Sequence, residues 1–131
     1  MALAAPKSVE APPTVPNAAI DREHLRRMTF GDRRLERELL ALFDQQASVL
    51  LPRMQTADAA SVGALAHTIK GSALGVGAFA VAEAAAETER AREPAALRDA
   101  IARLEVAIAA ARAQIAALLA EDDGTGTAGK G

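Results

Sequence analysis

PAALRDAIARLEVAIAAARAQIAALLAE, residues 94–121, sets Leu97, Ile101, Leu104, Ile108, Ala111, Ile115 and Leu118 at alternating steps of four and three. That spacing lines one stripe of an α-helix, whereas a strand would repeat every second residue. Glu93-Pro94 opens the helix, since proline is tolerated in a first turn. Such a long stripe must bury itself against other helices, either as one wall of a bundle or as the seam of a coiled-coil dimer.

Upstream the chain offers the partners a bundle needs. Asp21 caps a short helix carrying Leu25 and Met28, and Gly31-Asp32 starts a longer one. The longer helix puts Leu35, Leu39, Leu42, Phe43, Gln46 and Leu50 on one stripe until Pro52 kinks or ends it. Asp58 is the N-cap of a third helix running towards Gly75, and Gly77 supplies its left-handed terminator. A fourth helix spans 79–92. Short connections between amphipathic helices favour antiparallel neighbours, so the expected fold is all-α: an antiparallel up-and-down four-helix bundle with a short additional N-terminal helix.

Composition agrees with that reading. The 131 residues suit one domain, half are hydrophobic, and there are three Phe but no Trp or Tyr. Much of the apolar share is alanine, which favours closely packed helices over sheets. Four of the six prolines, Pro6, Pro12, Pro13 and Pro16, fall early, so residues 1–18 read as a disordered N-terminal tail. Residues 122–131 are glycine-rich and read as a disordered C-terminal tail, leaving 19–121 as the folded domain.

Several function classes drop out. The net charge is -2, and the basic segment from Arg22 to Arg37 is interleaved with acids, so nucleic-acid binding is not expected. No apolar run suggests a signal peptide or a membrane span, and the absence of cysteine permits a cytoplasmic location. Gly71-x-x-x-Gly75-x-Gly77 follows no strand, so it is no dinucleotide loop. No Gly-x-Ser-x-Gly elbow surrounds a serine, and Ser72 falls towards the core side of its helix. His24 has no second metal ligand at useful spacing and reads as plain exposed surface.

The chemistry gathers on the third helix. At roughly 100° per residue, Val62, Leu65, Ala66, Ile69, Ala73 and Val76 form its core face. His67 lies nearly opposite, with Ala60, Gly63, Ala64, Lys70, Gly71 and Leu74 around it. Glycine inside a helix costs about 0.5–1 kcal/mol relative to alanine, so Gly63 and Gly71 beside an exposed histidine suggest a closely approaching partner. Imidazole is a competent nucleophile that can hold a group covalently and pass it on. Lys70, one turn away, can attract the oxygens of a transferring phosphoryl group. No phosphate cradle or carboxylate metal cluster accompanies them, so the metal and the exchanging carboxylate must come from a partner.

Ala66-His67-Thr68-Ile69-Lys70-Gly71-Ser72-Ala73, followed by Gly77-Ala78, closely resembles the signature of histidine-containing phosphotransfer domains. The resemblance extends through Val81-Ala82 and Glu89, and more loosely back to Phe43. It implies a four-helix bundle in a two-component phosphorelay, with His67 phosphorylated, Lys70 supporting the phosphoryl group and Gly71 admitting a response regulator. The implied partners are receiver domains and a sensor histidine kinase. No intrinsic cofactor is expected, and magnesium belongs to the partner receiver. The chain would be a phosphoryl carrier without turnover of its own, working as a cytoplasmic monomer. Gly75, where the family often has asparagine, and Thr88, where an aliphatic residue is usual, depart from the pattern. The main alternative is a helical adaptor that binds a receiver or kinase through the same surface without being phosphorylated.

Overall fold

A computed structural model describes the backbone of residues 19–130 and the side chains of 19–121. Among the described residues five helices follow in chain order: α1 Arg22–Met28, α2 Arg33–Thr56, α3 Ala59–Val76, α4 Phe79–Arg90 and α5 Pro94–Lys130. No strand occurs among the described residues. The first three helices start on aspartate caps: Asp21 accepts from the His24 amide, Asp32 from Leu35 and Asp58 from Ser61. Each cap satisfies a backbone N–H that the helix itself cannot pair.

α2 to α5 close into a ring in which α3 packs on α2 and α4, and α5 packs on α4 and α2. Cross-links between α2 and α5 run in opposite chain directions: Arg37 to the Leu119 carbonyl, Asp44 to Arg112, and Gln55 to Glu105. That descending order makes the two helices antiparallel, as the short connections make the others. The core holds Phe43, Met54, Val62, Ile69, Val81, Leu104, Ile108 and Ile115, all at most 2 % exposed. Ala47, Ala66, Ala73, Ala85 and Ala111 fill the tighter gaps without any exposure, the arrangement an alanine-rich chain dictates.

α1 is fastened to the corner between α3 and α4. The Asp21 amide donates to the Gly77 carbonyl at 2.9 Å, and Gly77 sits in the left-handed region at φ 81°. A Cβ there would meet the Asp21 carbonyl oxygen at 2.8 Å, so glycine serves both the turn and the close approach. Just ahead of α1, Ile20 is buried and its amide donates to Gln114 of α5 at 2.8 Å.

Several sequence expectations need correction. Pro52 does not end α2, which continues to Thr56; the exposed ring replaces only one N–H near the final turn. Leu42 leaves the core stripe and is 59 % exposed, because the buried face is centred on Leu40, Phe43 and Ala47. α4 ends at Arg90 instead of 92, where Ala91 turns to extended backbone at φ -67° and ψ 132°. α5 remains helical to Lys130, past the expected boundary at 121. A helix already anchored by packing extends at one hydrogen bond per residue without a new nucleus, so glycine content alone does not stop it. The expected tail at 1–18 lies outside the described residues.

Candidate functional site

α3 turns its two faces as its sequence dictates. Val62, Ala66, Ile69, Ala73 and Val76 are buried and Leu65 half-buried, while the His67 side chain is 67 % exposed. Ala60, Ala64, Gly71 and Leu74 are exposed beside it, whereas Gly63 and Lys70 are half-buried, deeper than expected. A Cβ on Gly71 or Gly63 would meet nothing within 4 Å, so neither glycine is required by packing inside the domain.

The decisive side chain comes from α4. Glu89 places Oε2 2.9 Å from His67 Nδ1 and Oε1 3.1 Å from Lys70 Nζ. Hydrogen bonds from Lys70, then from His67, hold its carboxyl below the ordinary glutamate range. Glu89 is therefore an anionic acceptor, and His67 Nδ1–H is the donor. In a neutral imidazole that arrangement leaves Nε2 without a proton and with a free lone pair. Glu89 is held in register by the helix that carries it. Val81, Ala82, Ala84, Ala85 and Thr88 are the buried residues of α4, and the Thr88 hydroxyl donates to the Ala84 carbonyl at 2.9 Å. Thr88 thus fills an apolar position with its polar atom satisfied.

A model of the Hpt domain family matches residues 35–121, well over half of the chain. The chain belongs to the Hpt family. Comparison with curated proteins and with solved structures gave no match. Membership carries a phosphotransfer function in two-component signalling, in which Hpt domains act as phosphoryl carriers and interact with receiver domains and histidine kinases. No helix of the described residues is long and apolar enough to cross a membrane. Among the described residues no group of three or more metal-ligating side chains comes together.

Two parts of this Hpt domain were not foreseen as site or structural residues. Glu89 stood only within the motif resemblance, since its pairing with His67 and Lys70 depends on how α3 and α4 rotate against each other. His24 is not plain surface: its Nε2–H donates to the Leu74 carbonyl at 2.9 Å, and its ring meets Phe79 edge-on at 5.0 Å. It ties α1 to the ends of α3 and α4. Ser72 is half-buried and donates to Gln46 of α2, as its core-side placement implied.

Proposed function

We propose that this Hpt domain carries a phosphoryl group on Nε2 of His67, accepting it from and returning it to an aspartate of response-regulator receiver domains. The observation that carries this reading is the Glu89 bond to Nδ1 of an otherwise exposed imidazole, which leaves Nε2 as the nucleophile. In the accepting direction the Nε2 lone pair attacks phosphorus. The P–N bond forms, the P–O bond to the partner's carboxylate breaks, and that oxygen keeps the electron pair. The proton stays on Nδ1, where Glu89 offsets the positive charge the ring acquires. Donation runs the same steps backwards.

Lys70 lies one turn from His67 and can shift its ammonium from Glu89 towards the phosphoryl oxygens. Magnesium and the acceptor carboxylate belong to the receiver. Ala60, Gly63, Ala64, Gly71 and Leu74 form the ground on which it settles, none of them larger than leucine. A sensor histidine kinase stands further up the same relay. The carrier works in the cytoplasm as a monomer and has no turnover of its own.

The test is mass spectrometry of wild type and His67→Gln after incubation with a phosphorylated receiver, under conditions that preserve acid-labile phosphohistidine. Phosphate is expected on wild-type His67 and absent from the variant. Repeated absence from wild type across several receivers would favour the unphosphorylated adaptor.

A further inference from the structure

An open groove of about 740 Å³ runs beside His67. Ala60, Gly63 and Ala64 line it from α3, Arg92 from the α4–α5 connection, and His67 and Glu89 also reach it. The α3 residues end at Cβ or earlier and offer no side-chain donor. Thr68 also borders the groove, but its hydroxyl donates to the Ala64 carbonyl at 3.2 Å.

Charge near His67 is already balanced before any phosphate arrives. Lys70 sits on one Glu89 oxygen and His67 on the other, so the nearest cation is neutralised by the nearest anion. A phosphoryl group adds about -1.5 to -2 at neutral pH, with three strong acceptor oxygens. Among the residues lining the groove, the further cation is Arg92. Among the described residues its contact is a long 3.4 Å bond from Nη1 to the Glu89 main-chain carbonyl, which leaves most of the guanidinium fork uncommitted by them. That fork matches the oxygens of a phosphoryl group bidentately, which an ammonium cannot do.

We infer that Arg92 is a phosphoryl-binding residue, closing over the oxygens of phospho-His67 from the wall opposite α3. The inference rests on the relay reading and adds to it a second cation, one supplied from outside the α3 motif. Arg92 holds the finished adduct, slowing its loss to water, while Lys70 remains beside Glu89 or moves to share the load.

The experiment needs no partner protein. The 131-residue chain is phosphorylated with phosphoramidate, a small-molecule donor, and the decay of phospho-His67 is followed by phosphorus NMR. Arg92→Ala is expected to shorten the adduct's lifetime roughly threefold to tenfold, the scale of a solvent-exposed charge-assisted contact, and to move its phosphorus resonance. Arg92→Lys should fall between, and Arg90→Ala, whose side chain is not part of the groove, should match wild type. Thermal melting of each variant separates loss of fold from loss of contact. A phosphorylated wild type whose lifetime and resonance are unchanged in Arg92→Ala overturns the role of Arg92 alone. If wild-type His67 takes no phosphate from phosphoramidate or receivers, the relay reading fails and takes this one with it.

Discussion

Glu89 touches both halves of the α3 motif, and its removal should separate their contributions. Glu89→Gln keeps an acceptor oxygen for Nδ1–H but loses the charge that offsets the phosphorylated ring. Phosphoryl uptake by His67 is expected to fall on the order of tenfold, and further in Glu89→Ala, where the tautomer is no longer set. Stopped-flow transfer from a phosphorylated receiver gives both rates, and equal uptake in all three proteins would remove Glu89 from the mechanism. The acid limb follows from the same contacts. Because the folded carboxyl titrates below the ordinary glutamate value, its ion pairs add stability above that value and lose it as pH falls through the folded one. The stability difference between wild type and Glu89→Gln in urea should therefore shrink as the solution is taken below the usual glutamate range. At Gly71, open space around the missing Cβ means that Gly71→Arg should fold normally yet fail to receive phosphate from a receiver. That His67, Lys70 and Gly71 sit together on α3 was legible in the sequence, because within one helix spacing fixes direction. Glu89 and Arg92 were not, since their places are set by packing between helices, which periodicity does not report.

Capping chemistry made the helices readable: Asp21, Asp32, Asp58 and Gly77 sit where the sequence put them, and each makes the bond or adopts the angle its type favours. Endings without such a device were less readable, as at Pro52, Arg90 and the far end of α5. The corner at Gly77 supplies a sharp test. Gly77→Ala must hold a non-glycine residue at φ 81° and push against the Asp21 carbonyl, which should cost about 1–3 kcal/mol in chemical unfolding. A stability within a few tenths of wild type would mean that α1 can leave that corner cheaply. Thr88→Val, in contrast, keeps the volume of a buried side chain and removes a hydroxyl that bonds only within its own helix. Its change should stay within about 1 kcal/mol in either direction.

In the molecule as a whole, the buried faces and the chemical face divide the sequence cleanly. Ile108 is 2 % exposed in the middle of α5, on the far side of the ring from α3. Ile108→Ala should lower unfolding free energy by about 2–5 kcal/mol, read from urea denaturation. The fraction that remains folded should accept phosphate on His67 at the wild-type rate. A folded Ile108→Ala protein with slowed uptake would show that strain in the core reaches the imidazole. The bundle itself was legible because one seven-residue repeat required companions and the rest of the chain offered them.

The two-residue turn at Gly77-Ala78 also bears on the order in which the molecule comes into being. It joins the helix bearing His67 and Lys70 directly to the helix bearing Glu89, so imidazole and carboxylate lie 22 residues apart, against 50 and 68 for the Gln55–Glu105 and Asp44–Arg112 pairs that join α2 to α5. Contacts of short sequence separation close quickly, while those between α2 and α5 must wait for a much longer loop. A nascent chain emerging from the ribosome would therefore bring imidazole and carboxylate together before its last helix is made, and α5 would arrive to lock a pairing already rehearsed.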